Sequence, residues 1–396
     1  MRQMSFPVSG RLKKTGSVCV LLILAFLGFF ILLTSKNNFL VLGIILGGVL
    51  AFFVTRRIPR LKGGLKDTFG GERKTAVLLT VLFFLLLPLF LSRDAYTLHI
   101  LIIAGIQIIL ILGLNIQVGS TGLPNLGFAA FYGIGAYTSA LLAVRLGVPF
   151  WAGMLAGGSV SAVCGLILGF PTLKTRTYYL ALITIAFGLV VYLLFLNLPF
   201  FDGPDGVRDI PPPRLFGWSL FSNLKIFGRN YPIQLNFYYL VFAFLLLAVL
   251  VAGLLHNSKV GLMWNAVRED EIASQSVGIN TSRVKLLAFS TGAFYAGVAG
   301  ALYAHYIGYI SAQNFTITQS LAFLSMVILG GLDNIMGVVV AAFLLTILPE
   351  KFRALTDYRI IAYGVIIIIM LIFRPAGLIP QRIRDYGFVL KRKGEK

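Results

Sequence analysis

Two stretches interrupt an otherwise apolar sequence with small and polar residues: Gly119-Ser-Thr-Gly-Leu-Pro-Asn-Leu-Gly127 and Gly330-Gly-Leu-Asp-Asn-Ile-Met-Gly337. Each precedes an apolar run, so Asn125 and either Asp333 or Asn334 stand where a helix N-cap would. A helix that begins inside a membrane presents unpaired N–H groups and a positive dipole end, which can meet a carboxylate. Broken helices of this kind mark substrate sites in transporters. Asn115, Thr121, Asn125, Thr184 and Asn334 are the polar groups expected along such a path. The simpler alternative is a pair of tight turns between spans.

The rest of the chemical inventory informs mainly by what it lacks. All 14 acidic residues fall in loops or near the ends of apolar runs, with Asp333 closest to a hydrophobic interior. His99 and His305 lie near the ends of runs and His256 lies in a loop. Carriers driven by protons or sodium bury ionisable groups midway across the bilayer, so coupling to an ion gradient is disfavoured. No Gly-Lys dipeptide occurs, and with it goes the phosphate-binding loop that would let this chain hydrolyse nucleotide. There is no HExxH, no Gly-x-Ser-x-Gly and no Cys cluster. Cys19 and Cys164 sit inside apolar runs, where neither a disulfide framework nor a metal site is expected. The chain is expected to hold no catalytic residue, metal or cofactor of its own.

The elements that must position these residues are membrane spans. Of the 396 residues, 58% are hydrophobic and 12% are charged, whereas soluble domains carry roughly a quarter charged residues. Apolar runs fall near 17–34, 39–54, 75–91, 97–116, 127–144, 151–170, 178–198, 237–255, 286–306, 320–332, 335–348 and 360–373. They predict an all-α, polytopic transmembrane helix bundle of about 10–12 spans, with broken or re-entrant segments among them. Residues 1–74 are expected to form an N-terminal two-span extension with a basic loop, residues 75–380 the main multi-span domain, and residues 381–396 a basic tail. The first run follows Arg11, Lys13 and Lys14 but lacks a small-residue cleavage pattern, so it is read as a retained span.

The net charge of +20 is spread over short loops. Nucleic-acid binding would need it clustered on one folded face. With both termini in the cytoplasm most of the 34 Lys and Arg fall on the inner side, as the positive-inside rule requires. The basic loop from Arg56 to Lys74 and the tail also suit contact with anionic lipid. Gly153, Gly157, Ser161, Gly165 and Gly169 recur every four residues, and so do Gly292, Ala296, Gly300 and Ala304. Such stripes read as seams that let helix backbones approach, ahead of any reading as a pore wall.

The longest internal cytoplasmic segment contains Trp264-Asn-Ala-Val-Arg-Glu-Asp-Glu-Ile-Ala-Ser-Gln-Ser-Val-Gly278. It predicts one short amphipathic helix, with Met263, Ala266, Val267, Ala273 and Val277 on one face, Arg268, Glu269 and Glu271 off it, and Gly278 as its stop. Asn280, Thr281 or Ser282 caps the next span. A helix held between two spans suits docking into a groove of a soluble partner; the alternative is an interfacial helix on lipid.

This segment resembles the cytoplasmic loop of LivM-type permeases of branched-chain amino-acid ABC importers. The resemblance runs from about Thr97 to Pro380. It is carried by Gly113-Leu-Asn-Ile-Gln-Val-Gly119, Gly133-Ile-Gly-Ala-Tyr-Thr-Ser-Ala-Leu141, Arg268-Glu-Asp-Glu-Ile-Ala273, Lys285-Leu-Leu-Ala-Phe289 and Phe373-Arg-Pro-Ala-Gly-Leu-Ile-Pro380. Gly203-Pro-Asp-Gly-Val207 with Ile210-Pro-Pro-Pro213 is similar to an external segment of the family, and Arg176-Thr-Tyr-Tyr179 stands where the family carries Arg-Gly-x-Tyr.

The resemblance implies a non-enzymatic permease subunit in a bacterial-type inner membrane, importing branched-chain or related amino acids by alternating access. Its implied partners are a second homologous permease, two cytoplasmic ATPase subunits that hold the ATP and magnesium, and an extracytoplasmic binding protein. The residues implied to meet the ATPase are Trp264, Arg268, Glu269, Glu271, Ala273 and Gly278. Within the same family, urea or short amides are the alternative cargo. Outside it, the rival readings are a self-sufficient channel or secondary carrier and a membrane-embedded enzyme.

Overall fold

The computed structural model describes residues 23, 26–35, 43, 47, 73–91, 94–172, 177–215, 218–221, 224–226, 229–351, 364, 368 and 377–379. The expected spans near 39–54 and 360–373, the basic stretch from Arg56 to Lys66, Arg176 and the tail 381–396 lie outside the described residues or nearly so. The chain divides into two compact units, Met1–Leu98 and His99–Lys396. In the first, a helical stretch at 26–34 accompanies helix α1 (Arg73–Phe90), and Phe26 stacks on Phe83 with ring centroids 4.1 Å apart.

Helix α2 (Ala95–Leu114) runs into the second unit and continues as one wide π-helical turn, Asn115–Ser120. Then follow α3 (Phe128–Leu146), α4 (Phe150–Thr172), α5 (Thr177–Asn197) and α6 (Gln234–His256). Two short helices, α7 (Lys259–Glu269) and α8 (Glu271–Ser276), lead to α9 (Thr281–Ile307), α10 (Ile317–Gly330) and α11 (Ile335–Lys351). Among the described residues seven helices are long and apolar enough to cross a bilayer, and Thr75–Phe90 and Ile335–Ile347 are shorter apolar ones. The protein is the all-α polytopic bundle its hydropathy predicts. Helices dominate because in lipid each must satisfy its own backbone hydrogen bonds.

The small-residue stripes are seams. At the heart of the second unit α9 packs against α3 and α4 so closely that no side chain fits between them. A Cβ added at Gly157 would stand 2.7 Å from the Gly135 carbonyl oxygen, and one at Gly165 2.7 Å from the Ala293 Cβ. Gly297 meets Ser161 in the same way at 2.5 Å, while Ser161 Oγ donates to the Phe131 carbonyl at 3.0 Å. Between lipid-facing helices, where water drives nothing together, such close packing is what holds the bundle.

At one end of this unit, residues 198–233 form two 3₁₀ turns and two small antiparallel hairpins, β1 (Arg214–Leu215) with β2 (Trp218–Ser219) and β3 (Leu224–Ile226) with β4 (Arg229–Tyr231). Val207 and Ile310 exchange backbone hydrogen bonds of 2.9 and 3.0 Å, tying this segment to the turn after α9. The opposite end carries α7 and α8.

Three local expectations are corrected. Residues 264–278 form two helices, broken at Asp270, whose extended backbone (φ −155°) and carboxylate start α8 by accepting from the Ala273 N–H at 2.9 Å. An Asp side chain competes with the helix for backbone donors, and here it wins. His256, expected in a loop, is the last residue of α6. Asn125 is not the N-cap of α3; that position is Gly127. Asn280 does cap α9, accepting from the Arg283 N–H at 3.0 Å.

Candidate functional site

The two Gly-rich interruptions meet each other in space. The wide turn Asn115–Ser120 ends α2, and the turn 331–334 links α10 to α11. Asn115 Oδ1 accepts from the Asp333 backbone N–H at 2.9 Å, and Ser120 Oγ donates to Asp333 Oδ1 at 2.5 Å. The Asp333 side chain is fully buried, and His256 Nδ1 approaches the same Oδ1 at 3.5 Å. Asp333 holds φ +65°, a left-handed conformation that short polar residues tolerate better than most. The closeness is enforced, since a Cβ at Gly119 would collide with the Asp333 backbone. A buried carboxylate is costly unless its oxygens are met by donors, and here a hydroxyl and an imidazole meet it.

The second half of this node organises the start of α3. Gln117 Nε2 donates to the Phe289 carbonyl at 3.1 Å on α9, while its Oε1 accepts from Asn125 Nδ2 at 2.7 Å. Thr121 Oγ1 donates back to the Gln117 carbonyl at 2.6 Å. Thr184 Oγ1 on α5 accepts from the Leu126 N–H at 3.1 Å, and Asn125 Oδ1 accepts from the Gly127 N–H at 3.0 Å. Ser320 Oγ on α10 takes the Ala129 N–H at 2.9 Å. These side chains satisfy donors that the beginning of α3 leaves open. Asn334 sits at the edge of the node, caps α11 by accepting from the Gly337 N–H at 3.0 Å, and donates to the Ile379 carbonyl at 3.1 Å.

Asn115, Thr121, Asn125 and Thr184 are thus brought into one neighbourhood, each buried and each hydrogen-bonded within the chain. The void bordered by Asn115, Ser120, His256 and Trp264 measures about 10 Å³, scarcely enough for one water. In this conformation the node is packed shut.

The short helices α7 and α8 are bolted to that node. Arg268 Nη1 donates to the Gly119 carbonyl at 2.6 Å, and the Arg268 stem lies against Gly122, which turns the chain at φ +69°. Trp264 is buried, with its indole N–H donating to the Val284 carbonyl at 3.0 Å. Glu271 pairs with Lys285 Nζ at 2.6 Å. The outer face of this pair shows a different chemistry: Glu269, Ala273 and Gly278 are exposed, as are Ile272 and Val277 at 79% and 76% of their surface. The face expected to be uniformly apolar is therefore divided, with Val267 turned inward and Val277 outward.

Sequence reasoning missed Gln117, Ser120, His256, Lys285 and Ser320. Gln117 offered a signal, as an amide inside an apolar run four residues before Thr121. The others are ordinary until their distant partners are known.

The family description "Branched-chain amino acid transport system / permease component" matches residues 96–374. The chain is 37% identical over 365 residues to the high-affinity branched-chain amino acid transport system permease protein LivM of Escherichia coli K12, covering 85% of each chain. It is 26% identical to a probable branched-chain amino acid transport permease protein LivM of Methanocaldococcus jannaschii, over 72% of this chain and 93% of that one. The permease protein LivH of E. coli K12 is 25% identical, over 68% and 89% respectively. No solved structure matches the chain. With the matched residues spanning the whole second unit's node and helical seams, this chain belongs to the family of branched-chain amino acid transport system permease components.

Proposed function

We propose that this protein is one of two membrane subunits of a binding-protein-dependent ABC importer for branched-chain or related amino acids. In this reading α7 and α8 lie on the cytoplasmic side with both termini, residues 75–380 are the permease domain, and residues 1–74 and 381–396 are a basic extension and tail against anionic lipid. A second, homologous permease completes the path. Two ATPase subunits bind the ATP and magnesium, and a binding protein delivers cargo to the 198–233 end.

The observation that carries the proposal is the two-sided α7–α8 pair. Its outward face, with Glu269, Ile272, Ala273, Val277 and Gly278, is exposed and partly apolar, as suits the groove of a soluble partner. Its inward face is fixed by Trp264 and by the Arg268 bond to Gly119. A push or pull on α8 therefore reaches the wide turn of α2 through one charged hydrogen bond, and from there the start of α3. That is a mechanical route from nucleotide turnover to rearrangement of the spans. The chain itself does no chemistry.

Uptake by the complete importer reconstituted in liposomes tests this. The four-part membrane complex with its binding protein is expected to accumulate labelled leucine, isoleucine or valine with ATP inside, while this chain alone moves nothing. Arg268→Glu is expected to lower uptake about tenfold or more through the loss of a charge-assisted bond, with the complex still assembled. Uptake by the chain alone would identify a self-sufficient carrier, and transport of urea or acetamide in place of amino acids would overturn the cargo.

A further inference from the structure

Helix α8 is too short to hold its own direction. It has six residues, whereas isolated helices below roughly 12–15 residues are marginal in water. The extended backbone at Asp270 also cuts it off from α7. Its orientation is therefore set by side chains that leave it for another element. Glu271, Ser274 and Gln275 share one face at helical spacing, and Ser274 is buried. Gln275 Nε2 donates to the hydroxyl of Thr281, the first residue of α9, at 3.0 Å. Glu271 grips the Lys285 ammonium with both carboxylate oxygens, at 2.6 and 2.7 Å.

The two partners of that ion pair are unequally placed. Lys285 lies one turn into α9 with 8% of its side chain exposed, while the Glu271 side chain is 41% exposed. Water could satisfy a carboxylate at that exposure. It could not satisfy the ammonium, and a lysine buried this far is almost always paired. The position of Lys285 thus dictates where Glu271, and with it the start of α8, comes to rest.

α9 carries that position into the bundle. One turn past Lys285, the Phe289 carbonyl accepts from Gln117 of the wide turn. Further along, Gly297 and Gly300 press on Ser161 of α4 and Tyr132 of α3 with no room for a Cβ. Arg268 leads from α7 to the Gly119 carbonyl of the same wide turn. The two short helices therefore grip two adjoining places, and Gln117 joins them.

The family resemblance implies that Glu271 meets the ATPase; the geometry points elsewhere. We propose that Glu271 is an internal strut, whose pair with Lys285 makes α8 move as one body with α9. Glu271 and Lys285 are then positioning residues, and the partner is met by the opposite face of α8, where Ile272 and Ala273 are exposed. The proposal rests on the transport reading above.

The complete importer in proteoliposomes tests it, with labelled leucine imported per ATP hydrolysed as the readout, which a merely structural pair would not move. Glu271→Lys sets two ammonium groups against each other and is expected to lower the ratio about tenfold or more. Adding Lys285→Glu restores opposite charges and is expected to bring the ratio back to within about threefold of the parent. A ratio within about twofold of the parent for Glu271→Lys alone would overturn the strut. So would a swapped chain no better than Glu271→Lys, since Glu271 would then meet the ATPase itself. Where the swapped chain does not assemble with the ATPase subunits, a covalent strut decides. Glu271→Cys with Lys285→Cys, in a chain carrying Cys19→Ser and Cys164→Ser, is joined by a short bifunctional thiol reagent. Joining is expected to raise the ratio about fivefold or more over the unjoined chain. Failure to join, or a joined chain that imports no better, overturns the proposal. A parent complex that imports no leucine sinks the transport reading, whereas normal parent import with neither rescue sinks the strut alone.

Discussion

At the node, Asn115, Gln117, Ser120, Asn125, His256 and Asp333 converge, and the void bordered by Asn115, Ser120 and His256 measures only about 10 Å³. Elsewhere along α2, α10 and α11, His99, Gln107, Ser325, Thr346 and Glu350 line about 430 Å³. Both sets put polar side chains deep in an apolar bundle, where each is costly unless satisfied. The node satisfies its groups with one another and with the broken ends of helices, so it has nothing to offer a ligand. The cavity leaves polar groups beside space that a solute or water can fill. Polarity in a membrane helix therefore has two unlike explanations, and only the packing around it tells which applies.

That contrast can be broken most forcefully at Asp333. Asp333→Ala removes the acceptor of Ser120 and His256 and is expected to destabilise the protein by about 2–4 kcal/mol, because two hydrogen-bonding groups lose their partner. Thermal unfolding in detergent measures it, and Asp333→Asn should recover part of the loss. A stable Asp333→Ala protein would show that the node does not hold the bundle.

Gln117→Leu is next, since it leaves the Asn125 amide and the Phe289 carbonyl without their partner. Roughly 1–3 kcal/mol is expected, at the low end if lipid-exposed unfolded helices find other partners. Tyr137→Phe should act in the opposite direction. The Tyr137 hydroxyl is buried without a hydrogen-bond partner among the described residues, beside the rings of Phe195, Phe201 and Phe315. Deleting it is expected to stabilise by about 1 kcal/mol, read as a higher unfolding temperature.

At the cavity the sign of the comparison changes. Thr346→Val loses one hydrogen bond that borders open space, so stability should move by less than about 1 kcal/mol. A loss of several kcal/mol on thermal unfolding would show that this bond is packed away from that space. Smallest of all, Arg145→Ala breaks a solvent-exposed pair with Asp202 at 3.1 Å and should change stability by no more than about 0.5 kcal/mol.

Much of this was legible beforehand, and the reasons are physical. The Gly-rich interruptions stood out because they violate the apolar pattern locally. The seam on α4 was readable because a four-residue repeat of small residues is a property of one helix. Asn280 as a cap was readable because a cap bonds three residues away. The break at Asp270 was not, since the amphipathic pattern runs through it and only the competition between the Asp270 carboxylate and the helix ends α7 there. Nor did anything local distinguish His256 from an ordinary interfacial histidine.

By itself the sequence determined that this is a polytopic helical membrane protein with no nucleotide-binding loop and with a polar segment between two of its spans. Those properties follow from composition and short-range spacing, which a bilayer reads directly. Only the tertiary structure decided which polar residues are bound to one another and which face a cavity. The reason is distance along the chain: Asn115 meets Asp333 from 218 residues away, and Gln107 meets Thr346 from 239. Hydropathy carries no record of such pairings, so only the folded chain shows that Asn115, Thr121, Asn125 and Thr184 are held by one another's neighbours in one packed node.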